Sequence, residues 1–429
     1  MQVLLANKFL FEKGGAEKSL FETARLLEAH GHQTRFFAMQ HARNRPCADA
    51  RHFVSEVDYE DSSLRMRLKA GARMLYSLEA ARKLGGLLDE ARIDIAHLNN
   101  IYHQLSPSIL RTLHRRGVPM VMSLRDYKVV CGSYQMLAQG RPCEACRGGR
   151  HLQASLKRCV KDSLAASVLT TVEMTLHHRI LGLYGLVDLF ISPSAFLKDK
   201  VREMGFPGEV VHLPNFVGGL AEVAPQYGSA RARLVYSGRL GREKGLATLM
   251  RAVKGLPLRL EIIGEGPMRE PLEALARQES IANVEFTGYL SGAPLQDHVR
   301  AATAVVVPSQ WYENNPRSVI EAFALGKPVI GARIGGIPEL VRHGETGLNF
   351  TPGDVQALRG CIDELLAHPA RAADMGRRGR HLVETELSPE RHYAGLMQVY
   401  ERAIARHRPR ADGRLCAVMD ELAKGNEQR

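Results

Sequence analysis

The sequence predicts an α/β protein of two doubly wound, Rossmann-like domains facing each other across a cleft, with a helical tail. Three observations carry this. Short apolar runs of strand length alternate with amphipathic helical stretches, the pattern of a parallel sheet covered on both faces. The alternation stops in a Gly-, Pro- and Ala-rich stretch, PNFVGGLAEVAPQYGSAR, which ends at Arg231, and then restarts. A chain of 429 residues suits about two to three domains of ordinary size.

In the first half, residues 2–6 read as a strand and 17–29 as a helix. Residues 33–39 are a strand and 62–91 a long helical region. Further strands fall at 93–98, 119–124, 187–192 and 210–213. One segment, 126–162, is polar, cysteine-bearing and irregular, and reads as an insert; so long a loop is usually functional or stapled. After the linker, strands are expected at 234–237, 258–263, 283–288, 304–308 and 328–332. Asp354 is placed to cap a following helix, and the last 60 or so residues are helical and polar. The expected domains are 1–214, 215–390 and a tail 391–429 that packs back on the first domain. In such sheets ligands bind at the carboxyl ends of the strands, so the cleft is the expected site.

Apolar residues at 45% and charged residues at 24%, with no low-complexity tract, exclude a disordered or fibrous chain. The 58 Lys and Arg against 46 Asp and Glu give a net charge of +12, which favours an anionic partner without choosing one. The opening MQVLLANKFLFEKGG has no basic leader and reads as a strand rather than a signal peptide. The most apolar region, 181–196, is broken by Asp188 and Pro193, so no transmembrane helix is expected. Seven cysteines, an odd number, suit a reducing cytosol.

Three motifs carry chemistry. Glu313 and Glu321 flank ENNPRSVIE, where a loop runs into a helix opening near Pro316–Ser318. Backbone N–H groups at that start can hold a phosphate, and the two carboxylates can take hydroxyl hydrogen bonds. SGRLGREKG follows a strand, with Gly238 and Gly245 allowing close approach and Arg239 and Lys244 able to neutralise a pyrophosphate. Gly14 and Gly15 form a turn at the start of the first helix. No GxGxxG fingerprint appears, which argues against a nicotinamide dehydrogenase.

These segments, with GEGP at 264–267, FTGYL and GGIPELVRHGETGLNF, resemble the retaining glycosyltransferases of family 4, which have the GT-B fold. The resemblance covers essentially the whole chain. It implies that Arg239 and Lys244 hold the donor diphosphate, that Glu321 holds the ribose, and that Glu313 stands beside the transferred sugar. It also implies donor contacts from Asn314, Asn315, Pro316, Ser318 and Val319, from Tyr289 and Leu290 near the base, and from Gly14 and Gly15 across the cleft. Glu313, Arg239 and Lys244 are then the catalytic group. The implied reaction moves a sugar from a nucleoside-diphosphate sugar, UDP by family frequency, to a glycan, without a catalytic metal.

The first half adds a narrower likeness. IDIAHLNNIYHQLSPSIL, MSLRDYKVVC and RPCEAC…RCVKDSLAAS resemble a subgroup that builds exopolysaccharide, capsule or O-antigen chains. This implies a lipid-linked acceptor and a location in the cytoplasm or on the cytoplasmic face of the inner membrane. The subgroup has His where this chain has Arg125 and Asn99. Arg125 is a permanent cation and no base. The sugar and acceptor pocket is expected around His103, Arg125 and Asp126, with His97 either there or structural. The alternative reading is a catalytically impaired GT-B protein that binds sugar nucleotides as a sensor or assembly partner, and Arg125 is its ground. A sugar-nucleotide epimerase or phosphorylase fits this motif set poorly. Nucleic acid fits the charge but lacks a reading module.

Cys131, Cys143, Cys146 and Cys159 all fall in the insert, a spacing that suits a structural tetrahedral zinc. Four reduced thiols or an iron–sulfur cluster are the alternatives. Cys47, Cys361 and Cys416 are isolated. The stretch LRMRLKAGARMLYSLEAARK (64–83) mixes basic and apolar residues at helical spacing. It reads either as a membrane-surface helix or as a packed helix with a solvated basic face.

Overall fold

The computed structural model describes residues 1–57, 64–227 and 231–407. Cys416, the start of the 62–91 helical region, part of the linker and the end of the tail lie outside the described residues. The first sheet holds β1 (Gln2–Ala6), β2 (Gln33–Phe37), β3 (Ile95–Leu98), β4 (Met120–Ser123), β7 (Leu189–Ser192) and β8 (Val210–His212), in the order β2-β1-β3-β4-β7-β8. The antiparallel pair β5 (Leu137–Ala138) and β6 (Arg141–Pro142) stands apart in the insert. The second sheet holds β9 (Arg233–Ser237), β10 (Arg259–Ile263), β11 (Val284–Gly288), β12 (Ala304–Val307), β13 (Val329–Ala332) and β14 (Gly347–Phe350). Its order is β11-β10-β9-β12-β13-β14, and all pairings in both six-stranded sheets are parallel.

The residues explain the layers. IAHL, MVMS, LFIS, AVVV and VIGA are buried at every position, because helices cover both faces of a parallel sheet. Helix starts are fixed by polar caps. Ser77, Ser163, Ser194, Asp354 and Ser388 each accept a backbone N–H with the side-chain oxygen. Ser77 also divides the expected 62–91 helix into Leu64–Leu75 and Leu78–Glu90, since its hydroxyl caps the second piece. The strand β14 is missing from the sequence reading. Its GLNF has one polar residue between apolar ones and follows a Gly-rich turn, so the pattern is short. The insert is irregular for a physical reason. Six of its non-glycine residues, among them Tyr134, Met136 and Lys161, take left-handed φ values of 46–55°.

The helix Pro389–Arg406 returns to the first sheet, where Leu396, Val399, Tyr400 and Ala403 join Val3, Ile95, Val121 and Leu189 in one core. The Tyr400 hydroxyl meets His97 Nδ1 at 2.8 Å, and His97 Nε2 meets Ser123 Oγ at 2.8 Å. His97 is therefore a structural residue, shut beneath the tail. No helix among the described residues is long and apolar enough to cross a membrane.

Burial pushes His97 down to about 3 and His392 down to about 4, with the Arg125 charge adding to both. Both rings are neutral when folded, whereas in the unfolded chain they take up protons near pH 6.5. Stability conferred by their burial is present above that pH and declines as pH falls toward the folded values. We expect the denaturation midpoint to fall from pH 7 to pH 5, at up to about 1.4 kcal/mol per pH unit per histidine. His392→Gln should flatten the slope; an equal slope in both proteins would contradict this.

Candidate functional site

The carboxyl ends of both sheets face one cleft of about 620 Å³. In the second sheet the strand order reverses between β9 and β12, and the chain leaving these strands, Ser237–Arg239 and Ser309, lines the cleft. The opposite wall carries Lys13, Gly14, Gly15 and Arg125.

Glu313 is the centre of the second wall. It is almost fully buried, and its Oε1 takes both the Lys244 ammonium at 2.6 Å and the Ser309 hydroxyl at 2.6 Å. Burial alone pushes its carboxyl up; Lys244 and Ser309 outweigh that and leave it below its ordinary value, so Glu313 is ionised at neutral pH. Lys244 also lies 5.1 Å from the centre of the Trp311 ring, within cation–π range. Gly245, at φ +68°, ends the basic turn so close to the Pro308 carbonyl that a Cβ would collide with it. The Glu313 loop is gripped from behind. Gly336 N donates to the Glu313 carbonyl at 2.8 Å, and a Cβ on Gly335 or Gly336 would strike the carbonyls of Glu313 or Asn314. This explains GGIP in mechanical terms.

The helix Arg317–Ala324 opens at Pro316, and Pro316, Ser318 and Glu321 line the cleft with Asn314 and Asn315. Arg239 lines it too, paired with Glu243 at 2.5 Å. Tyr289 stands largely exposed at the rim beside Leu290. Val319 has a buried side chain, and its N–H donates to the Pro316 carbonyl at 3.0 Å, inside the helix. His103 and Asp126 have partners in the first domain. His103 Nε2 lies 3.4 Å from the fully buried carboxylate of Glu173, which also takes Lys128 at 2.6 Å. A carboxylate without solvent must be met by a cation, and Lys128 supplies it. Asp126 folds back to accept Lys128 N at 2.9 Å.

Arg125 does reach the cleft. It donates to Asn99 Oδ1 at 3.1 Å and to Asn215 Oδ1 at 2.8 Å, and Asn215 donates to Asn315 Oδ1 at 3.0 Å. A polar chain thus runs from one domain to the other. Burial, reinforced by the nearby Arg317 charge, lowers the Arg125 guanidinium to about 10, so it stays charged.

Sequence reasoning missed the other crossings. Arg317 makes a two-pronged contact with Glu22, at 2.7 and 2.8 Å. Ser194 donates to Asn314 Oδ1 at 2.8 Å. Glu339 accepts Ala195 N at 2.9 Å and Phe196 N at 2.5 Å, capping a helix of the first domain from the second. Arg317 lay inside a visible motif; Glu22 had no local signal.

In the insert, all four cysteines line one cavity of about 10 Å³ and are free thiols. Burial, with the other three thiols, pushes Cys146 up to about 12. Among the described residues, no three His, Cys, Asp or Glu side chains stand arranged as a metal site. Next to Cys143, Glu144 accepts the Tyr312 hydroxyl at 3.2 Å and pairs with Lys200 at 2.9 Å, which joins the insert to the Glu313 loop.

Comparison with known proteins gives this arrangement a class. Residues 14–215 match the glycosyl transferase 4-like domain, and residues 226–382 match the glycosyl transferases group 1 family. The chain belongs to the family-4 type of glycosyltransferases with the GT-B fold. It is 32% identical over 225 residues to a glycogen synthase of Mycobacterium tuberculosis, a match over 50% of this chain and 54% of that enzyme. The chain thus spans about half the length of that relative. It is 25% identical over 357 residues to a 42.6 kDa protein in the cps region of Klebsiella pneumoniae, covering 80% of this chain and 88% of the relative. The Anabaena HepE structure in complex with UDP-glucose superimposes with a TM-score of 0.62 at 16% identity, over 94% of this chain and 99% of that one.

Proposed function

We propose that this chain transfers a sugar from a nucleoside-diphosphate sugar to a glycan, with retention of anomeric configuration. The observation that carries it is the wall formed by Lys244, Glu313, Ser309 and the Arg317–Ala324 helix start at the reversal of the second sheet. The bond between the anomeric carbon and the β-phosphate oxygen breaks, and the departing diphosphate keeps the electron pair. Arg239, Lys244 and the helix start stabilise that charge, which leaves no need for a divalent metal. The sugar becomes oxocarbenium-like, and the acceptor hydroxyl attacks the same face while a phosphate oxygen takes its proton. Glu321 is the partner for ribose hydroxyls and Glu313 for those of the sugar.

UDP is the donor nucleotide we favour, and the Anabaena neighbour with UDP-glucose accords with it. The cps-region relative and the first-half motifs favour a lipid-linked oligosaccharide of surface polysaccharide as acceptor, met at the cytoplasmic face of the inner membrane. For the insert we propose a stapling Zn²⁺. Four thiols round one cavity suit it by donor type, and they would have to draw together from the arrangement seen to close on an ion.

Two measurements check these readings. A thermal-shift panel of UDP-, GDP- and ADP-sugars, run without added divalent metal, should show stabilisation by one nucleotide class. Lys244→Ala and Glu321→Ala should each weaken that ligand about tenfold or more, the worth of a hydrogen bond to a charged group. Unchanged affinity in both variants would sink the site. Elemental analysis of the purified chain should find one zinc per chain, with Cys143→Ser losing the metal and melting lower; a metal-free wild-type protein that melts like Cys143→Ser would overturn the staple.

A further inference from the structure

The helix Leu164–Thr175 is built inside out. Its buried residues are Ser167, Thr170, Glu173 and Met174, while Leu164, Val168 and Val172, spaced four apart, face outward. Beside it packs the short helix Leu152–Leu156, whose Leu152 and Leu156 also face outward, and Ile180 follows on the chain. These six aliphatic side chains are 44–68% exposed. A soluble surface scatters such residues singly; a cluster of this kind marks a contact surface.

Charge identifies what it contacts. Arg150, Lys157, Arg158, Lys161 and Arg179 are exposed along the same stretch, against the single exposed acid Asp162 between residues 147 and 180. Exposed aliphatic side chains and exposed cations on one stretch match an anionic phospholipid surface, where the apolar groups enter the acyl boundary and the cations meet the headgroups. We infer that this face seats the protein on an anionic bilayer. In the 64–83 stretch, Ala70, Arg73 and Met74 are buried, and Arg73 is paired with Glu79. The insert that carries Leu152 and Leu156 also carries Glu144, so this face is linked through Tyr312 to the loop of Glu313. The inference is independent of the transfer reaction, since it concerns a surface outside the cleft.

Flotation of the full chain with vesicles tests it. Phosphatidylcholine vesicles containing one part in three phosphatidylglycerol should carry the protein at 0.1 M NaCl, and pure phosphatidylcholine should not. Raising NaCl to 0.5 M should weaken the binding. The exposed triple substitution Leu156→Gln, Val168→Gln and Val172→Gln should lower the partition at least about tenfold, from lost apolar burial, and Lys157→Glu with Lys161→Glu should lower it too. Absence of wild-type binding to anionic vesicles would overturn the inference. So would unchanged binding by the triple variant, or a wild-type dimer that the triple variant converts to monomer, since a second copy would then be what covers the face.

Discussion

A carboxylate taken out of water must be met by a cation, and at Glu313 that requirement organises the second domain's wall. Lys244 and Ser309 converge on one oxygen. To bring them there, the basic turn must press against Pro308, which Gly245 allows, and the acidic loop must lie flat on Gly335 and Gly336. Each glycine is needed because backbone, not side chain, occupies the space. The pair also holds the cleft in waiting. Lys244 and Arg239 are neutralised by Glu313 and Glu243 before any ligand arrives. In the proposed reaction an incoming diphosphate would offer Lys244 more negative charge than one carboxylate does, and so would free Glu313 to accept hydroxyl groups.

The two domains are joined around this wall by partly buried polar contacts and by Tyr312, whose ring packs on Phe196 and Tyr127 of the first domain. Arg317 with Glu22, Ser194 with Asn314, and the Arg125–Asn215–Asn315 chain all cross near the acidic loop. Their position ties the loop that carries Glu313 to the first domain. Arg125 gains a positive role here: its planar fork spans two amide oxygens, which one imidazole could not do in the same way.

Much of this was legible in the sequence because it is local. Strand-length apolar runs such as AVVV and the Asp354 cap read directly, and the basic turn, the acidic loop and the Gly14–Gly15 turn do meet in one cleft. What is less legible depends on distance. His103, Asp126 and Val319 sit in or beside recognisable motifs, yet their orientation depends on partners distant in sequence or on helix geometry. Glu173, 70 residues from His103, decides where that imidazole goes. Glu22 and Glu339 carry no motif because their contacts exist only once two domains meet. The outward-facing helix Leu164–Thr175 kept helical periodicity, but which face is buried is set by Lys128 and the insert rather than by hydrophobicity.

The central claim is that the buried Glu313 carboxylate holds Lys244 until a diphosphate replaces it. Calorimetric titration of UDP and GDP into wild type and Glu313→Gln tests this most directly. The account predicts that the preferred nucleotide binds more tightly to Glu313→Gln, because Lys244 no longer has to leave a carboxylate. Equal or weaker binding by that variant, with its fold intact by circular dichroism, would contradict it.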